Sequence, residues 1–473
     1  MPIPAAAQPD WRLGFQSLET EYVEPVILPV QGVIPKEVRG TLYRVGPARH
    51  VVFGEPLRHW FDGDGMMHSF SLTDSQVQYR CRFVNSQGHQ EEERAQRRIF
   101  RSFGTPPSGG PIARFRHRKR GKNTANTSMI FHAGELWALS EGGWPHRIDP
   151  QTLATLGTTD LDGCLQKPEG YSAHPRYCEK TGELWNFSVL HGRQQLMSIH
   201  CRDAQGRNRV VARFPAPMPA MVHDFALTSS HVLIKFDPYV LPAFPLSLLL
   251  GQRAPGQLLT WRPELGSCIA VIPRSGGEPR WVQLDPRFAV HSIHATNDGP
   301  DILWDVLSFA DDTIMKVFAQ VMTGPITTPA FCFPERIRIP PSGKATVTRL
   351  SETALDLPRH LAATGSACSH VFGVTWTRRT DFMNAPACLD VATGKTEIAP
   401  IAAGDYAGEC IPIRKDGATS DRAAWLLTVV LNTTLRRSEL RIYDGENLDA
   451  PAVATMAMPH VMPLGFHGCF VPA

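Results

Sequence analysis

The sequence has 473 residues and ten cysteines, and none of the cysteines forms a C-x-x-C pair. Spread from Cys81 to Cys469, they fit neither a zinc ribbon nor a dithiol redox motif. The chain lacks any run of about 18 apolar residues, the least that a membrane-spanning helix needs. The nearest approach is "YVLPAFPLSLLLG", Tyr239 to Gly251, which is short and broken by Pro242 and Pro245. Charge bias is also missing, because 48 Lys and Arg against 45 Asp and Glu leave a net charge of +3. With no recognition motif in addition, nucleic acid is not an expected partner. The opening "MPIPAAAQPD" has neither the charged start nor the apolar core of a secretory signal. These absences predict reduced thiols in a cytoplasmic protein. Forty prolines and 38 glycines leave little room for long helices.

What remains is β texture almost throughout. Runs such as "GTLYRVG", "VQYRCRFV", "LWNFSVL", "HVLIKF", "DILWDVLSF" and "AAWLLTVVL" are rich in β-branched and aromatic residues, and turns such as "HAGE", "EKTGE" and "DAQGR" separate them. Helical periodicity is confined to "DTIMKVFAQVM", Asp312 to Met322, and to "PLSLLLG". Three phrases share one plan of apolar strand, Asp, turn and return strand: "GWPHRIDPQTLATLG", "NAPACLDVATGKTE" and "ELRIYDGENLDAPAV". The outer strands of propeller blades read this way. Length alone suggests about three domains, but no composition break splits the chain. The expected fold is all-β: one domain over 1–473, a propeller of about seven blades at roughly 40 residues each plus insertions.

Eighteen histidines exceed what packing usually requires. Four have distinctive settings: His174 in "YSAHPRY", His223 in "MVHDFALT", His291 in "FAVHSIHATND" and His467 in "PLGFHGCF". They are too far apart for a local metal motif such as H-E-x-x-H. A propeller brings innermost strands of different blades to one axis, so one histidine per blade would form a ring of neutral nitrogen donors. Imidazole suits iron, zinc and copper, so the donors alone do not choose the metal. A ligating histidine normally gives its other N–H to a carboxylate. Glu141 in "ALSEGGWP" and Glu409 in "YAGECIPI" are candidates; the plainer reading of each is a surface turn glutamate. Two further segments stand open between readings. The basic run "RFRHRKRGK", Arg114 to Lys122, is either a solvated loop or a patch for an anionic membrane surface. Tyr239 to Gly251 is either a buried loop or an apolar patch at a bilayer or a tunnel mouth.

The blocks "GTLYRVGPA", "RHWFDGDGMMHSFSL" and "KNTANTSMIFHAGELWALSEGGWPHRIDPQTLATLG", followed in order by "SAHPRY", "MVHDFALT" and "MPLGFHGCF", resemble the carotenoid cleavage oxygenase family from near the start of the chain to its end. The resemblance implies a seven-bladed propeller with a loop and helix dome over the active-site face. It implies Fe(II) on His174, His223, His291 and His467, with Glu141 and Glu409 supporting the ligands. The implied reaction is cleavage of a C=C bond by O2 into two carbonyl fragments. A polyene substrate would arrive from a membrane, with 239–251 as the peripheral contact.

Two departures from the family pattern bear on the site. After the third histidine the family usually has Asn-Ala-aromatic-Glu, whereas this chain has His294, Ala295, Thr296 and Asn297. His291 aligns best, and His294 is a rival ligand. Where the family has a third supporting glutamate, "LDLPRHL" puts Asp356. It is one methylene shorter, so a direct hydrogen bond needs a shift of the backbone. Two alternatives to carotenoid cleavage stand beside it. One is cleavage of a stilbene-type phenolic olefin, with Lys122 or Tyr79 gripping the phenol. The other is a divergent metal-binding propeller without cleavage activity.

Overall fold

A computed structural model describes residues 10–379 and 381–473. Seven antiparallel sheets of four or more strands follow one another along the chain. Blade 1 runs from Gly468–Pro472 through Gly40–Arg49, Asp64–Leu72 and Val77–Phe83 to Tyr22–Leu28. Blade 2 covers Ser128–His132 to Thr155–Thr158, blade 3 Gly170–Tyr171 to Asn208–Pro215, and blade 4 Ala226–Leu227 to Arg280–Leu284. Blade 5 covers Phe288–Asp298 to Thr346–Arg349 and blade 6 Asp356–Arg359 to Thr396–Ile398. Blade 7 runs from Asp405–Ala407 and Ile411–Arg414 to Ala454–Ala457, with Val30–Gly32 added at its edge. The seven-bladed, all-β expectation is met, and the three strand-turn-strand phrases are outer strand pairs of blades 2, 6 and 7.

The blades explain the texture of the sequence. A strand in the middle of a blade is covered on both faces by neighbouring blades, so it reads as an unbroken apolar run. Ala424–Asn432 is of this kind, with all but two of its nine residues buried. Innermost strands instead lie against those of the next blade: Ala226–Leu227 against Phe288–Asp298, that strand against Asp356–Arg359, and Ile411–Arg414 against Gly468–Pro472. The ring is closed from both chain ends. Gly468–Pro472 pairs with Gly40–Arg49, while Tyr22–Leu28 and Val30–Gly32 complete the outer edges of blades 1 and 7.

The insertions between strands supply the helices. Thr313–Thr323 is found one residue from where its periodicity places it, and Leu246–Leu249 lies within "PLSLLLG". Gln87–Ala95 and Pro111–His117 are further helices. The first is almost entirely polar and carries no apolar period. Its start is fixed instead by Ser86, whose hydroxyl accepts the His89 N–H at 3.2 Å. Phe318, on Thr313–Thr323, stacks on Trp60 and Phe61. Phe61 in turn meets Phe103 and Phe466. Together these rings pack as an aromatic cluster that includes Phe466, the neighbour of His467.

Candidate metal centre

Every one of the seven blades contributes a histidine or a carboxylate to the centre. Blades 1, 3, 4 and 5 supply His467, His174, His223 and His291, and blades 2, 6 and 7 supply Glu141, Asp356 and Glu409. In two blades the innermost strand is interrupted where this happens. Gly170–Tyr171 and Arg176–Cys178 both pair with Glu183–Leu190, and His174 lies in the gap. Asp405–Ala407 and Ile411–Arg414 both pair with Ala424–Asn432, and Glu409 lies in the gap. Breaking the ladder for a few residues frees the backbone to turn the side chain inward. Glycines permit the crowding that results. A Cβ on Gly468 would lie 2.3 Å from Tyr43 O, and one on Gly170 would lie 2.3 Å from Glu141 O.

One nitrogen from each of the four histidines lies within 4.8 Å of the other three. Three of the rings are oriented from behind. His223 Nδ1 is 2.7 Å from Glu141 Oε1, His291 Nδ1 is 2.6 Å from Asp356 Oδ1, and His467 Nδ1 is 2.8 Å from Glu409 Oε1. Each Nδ1–H donates to its carboxylate, which leaves the Nε2 lone pair facing the centre. His174 has no carboxylate; its Nε2 stands 2.8 Å from that of His223.

The electrostatics suit cation binding. Burial and then the three neighbouring histidines hold His174 well below the ordinary imidazole value. Burial takes His467 down to about 4 despite Glu409. For His223 burial opposes protonation, but Glu141 outweighs it and raises the value. Two rings are therefore neutral at neutral pH, the form that binds a metal. Glu409 is fully buried, and burial alone would raise its pKa. Arg359 at 2.7 Å and the His467 ring outweigh burial and keep Glu409 ionised. Its other oxygen accepts the Gly468 N–H at 2.9 Å and faces Arg44 at 3.4 Å. Glu141 is the least shielded of the three carboxylates, with 38% of its side chain open. Four nitrogen donors, three of them fixed through carboxylates, fit a divalent transition metal.

The structure therefore brings together His174, His223, His291, His467, Glu141, Glu409 and Asp356. It does not bring His294 there. That residue follows two register shifts on Phe288–Asp298, its Nε2 donates to Ser366 O at 2.7 Å, and its ring packs on His360. The shorter Asp356 makes a direct bond, in a strand that is irregular in register before Arg359 and where Leu357 adopts a φ of 53°. Lys122 and Tyr79 are not available to grip a phenol. Lys122 is buried between Asp64 and Glu92, at 2.6 Å from each, and Tyr79 lies between His68 and His460 in the core of blade 1.

Three residues around the ring went unassigned in the sequence. Arg176 binds both oxygens of Asp224, at 2.8 and 2.7 Å, and Asp224 accepts the Ser292 N–H at 2.8 Å, so blades 3, 4 and 5 are tied beside the histidines. Arg359 links Glu409 to Gly468 O. The only signal was proximity, because Arg176 and Asp224 stand within two positions of His174 and His223.

The chain matches the family described as retinal pigment epithelial membrane protein over residues 15–472. It is 31% identical to the apocarotenoid-15,15'-oxygenase of Synechocystis sp., an alignment covering 97% of this chain and 95% of that protein. Resveratrol cleavage oxygenase 1 of Aspergillus fumigatus is 26% identical, covering 94% of this chain and 92% of that protein. The solved structure of cobalt-substituted Synechocystis apocarotenoid oxygenase superposes with a TM-score of 0.88 at 29% identity, over 98% of each chain. A correspondence that runs through all seven blades is more than a shared architecture: the chain belongs to the retinal pigment epithelial membrane protein family, the carotenoid cleavage oxygenases.

Proposed function

We propose that this dioxygenase holds Fe(II) on His174, His223, His291 and His467 and cleaves one C=C bond of a carotenoid or apocarotenoid. The observation that carries this reading is the convergence of four histidine nitrogens with three carboxylates behind them. Bound there, Fe(II) would supply the binding and activation of O2. The carboxylates hold each Nδ1–H, fixing tautomer and ring orientation. Trp60, Phe61, Phe103, Phe318 and Phe466 offer an apolar wall that holds a polyene in place and excludes water. Both bonds of the C=C unit break and each carbon gains one oxygen atom from O2. The alkene supplies the electrons, so no reductant is consumed.

The reading includes one propeller domain over 1–473 and a peripheral membrane contact on the cytoplasmic side. Tyr239 and Val240 are buried, but Phe244 is 88% exposed, and Leu246 and Leu249 are also exposed. The helix Pro111–His117 lies against this segment, for a Cβ on Gly251 would meet Arg114 O at 2.4 Å. It adds exposed Ile112 and Phe115 with Arg114 and Arg116 among them. Among the described residues no helix is long and apolar enough to cross a membrane. An apolar patch with basic residues suits the surface of an anionic bilayer.

The phenolic-olefin reading is disfavoured by the engagement of Lys122 and Tyr79 elsewhere, although a relative is named for resveratrol cleavage. The deciding experiment loads the protein with Fe(II) anaerobically, then admits O2 with an apocarotenal and with resveratrol in parallel. Aldehydes from the apocarotenal alone are expected. Products from resveratrol alone would overturn the substrate assignment. Metal uptake with no product from either would support the non-cleaving metal-binding alternative, and no metal uptake would overturn the histidine ring as a metal site.

A further inference from the structure

The four-histidine ring has a second side. A cavity of about 550 Å3 follows the innermost strands, lined by none of the aromatic side chains of the proposed polyene chamber. His174, His291 and His467 reach it, and it extends past Gly468 and Ile411 to Glu37, Asp416 and Pro472. Asp416 and Pro472 are exposed, so this end meets solvent. Adjacent positions divide the two sides: Phe466 stacks on Trp60 and Phe61 in the chamber, whereas Gly468 and Cys469 line the cavity.

The cavity wall is polar where the chamber is not. Its three arginines are engaged by acceptors: Arg176 by Asp224 at 2.7 Å, Arg359 by Glu409 at 2.7 Å, and Arg414 by Leu361 O at 2.7 Å. Glu37 and Asp416 line the cavity, with Asp416 exposed and 3.6 Å from the equally exposed Lys36, a solvent-screened pair that an incoming dication can displace. His360 also lines the cavity, its ring packed on His294, and among the described residues its buried Nδ1 has no hydrogen-bond partner. Burial holds that imidazole neutral, well below its ordinary value. A hydrated dication crossing the aromatic chamber would lose its water to groups that cannot replace it. Along the cavity it would keep water and meet carboxylates and a neutral nitrogen donor.

We propose that this axial cavity is the route by which a hydrated divalent metal ion enters and leaves the histidine ring, gathered by Glu37 and Asp416 and passed by His360. The proposal rests on the ring being a metal site and adds a separate path to it, distinct from the apolar side that receives the olefin.

The test follows Co2+ by absorbance as it enters the metal-stripped full-length protein, and again as it leaves into excess EDTA. Ile413→Trp narrows the cavity. It should slow entry and exit by the same factor and leave the equilibrium affinity unchanged. Glu37→Lys with Asp416→Lys reverses charge at the mouth and changes no group in the core. It should slow entry about tenfold at low salt, a deficit that fades near about 1 M salt. Rates unchanged in the charge-reversed protein, or exchange slowed by an apocarotenal bound in the chamber, would overturn the path. Failure of the wild-type protein to take up Co2+ would overturn the ring as a metal site instead, so the two failures are distinguishable.

Discussion

Asp356 Oδ1 lies 2.6 Å from His291 Nδ1, a direct contact made from an irregular stretch of strand. The strand slips register between Asp356 and Arg359, Leu357 takes a positive φ, and its N–H also donates to Asp356 Oδ1 at 2.7 Å. Backbone and side chain are matched as a pair. Asp356→Asn keeps the shape and removes the charge that holds the His291 Nδ1–H, so metal affinity should fall about 10–100-fold. Asp356→Glu adds a methylene to a contact already at 2.6 Å, and should also bind metal more weakly than the wild type. Equilibrium dialysis of the metal against each variant measures both. Wild-type affinity in Asp356→Glu would show that the length of this side chain does not set the affinity.

Gly468 is where ring closure and the centre share an atom. Its N–H goes to Glu409 at 2.9 Å, its C=O accepts from Arg359 at 2.9 Å, and the added Cβ of alanine would sit 2.3 Å from Tyr43 O. The closest atom is a backbone carbonyl, which cannot swing aside as a side chain would. Gly468→Ala should therefore destabilise the protein by about 3 kcal/mol or more and weaken metal binding together. Gly110→Ala, where no atom lies within 4 Å of the added Cβ and φ is −75°, controls for a generic effect of removing glycine. Thermal unfolding in the presence of a chelator separates the closure effect from metal binding.

The blades were legible because a strand covered on both faces must be apolar throughout, as "AAWLLTVVLN" is. The helix at Thr313–Thr323 was legible because one of its faces packs on the turn at Trp60 and the other does not. Gln87–Ala95 was not, since a capping serine and a row of charges leave no period to read. The assignment of Tyr22–Leu28 and Val30–Gly32 to blades 1 and 7 was hidden as well, because pairing between chain ends leaves no local signature. At the site, the histidine settings were visible and the propeller expectation already brought them to one axis, but the donors did not choose a metal or a reaction. Resemblance supplied those. Lys122 and Tyr79 were misread because a side chain's type does not say which partners have already claimed it.

Lys122 illustrates the point energetically. It holds Asp64 and Glu92, and Glu92 also accepts the N–H groups of Ile99 and Phe100 at 2.7 and 2.9 Å. Burial opposes the charge on Asp64, but Lys122 outweighs it and holds this carboxyl below its ordinary value. The stabilisation from Asp64 is therefore complete above about pH 4 and is lost as pH falls through the lower folded value. Burial likewise opposes the charge on Lys122, yet the two carboxylates raise its pKa. Its share is complete below about pH 10 and is lost as pH rises through the folded value. Lys122→Met leaves two buried carboxylates without their cation, a loss of about 3–5 kcal/mol at pH 7. The deficit should shrink at pH 5, where Asp64 in the variant takes up a proton. Urea unfolding of both proteins at the two pH values measures it, and an equal deficit at both would mean the trio carries no net charge dependence.

The surface at Phe244, Leu246 and Leu249 faces solvent from a loop with prolines at 242 and 245, so it has no folded-state partner to lose. Phe244→Asp with Leu249→Asp should leave the thermal midpoint unchanged within about 1 kcal/mol of stability. Partition into vesicles rich in phosphatidylserine should fall by tenfold or more, as about 1.5–3 kcal/mol is expected for each buried apolar side chain. Arg114→Gln with Arg116→Gln should weaken binding only to the anionic vesicles, and added salt should erase the difference. Flotation with anionic and with neutral vesicles separates the two contributions. Wild-type protein that stays with the soluble fraction in both would remove the membrane from the account and leave the exposed side chains as a mouth open to water.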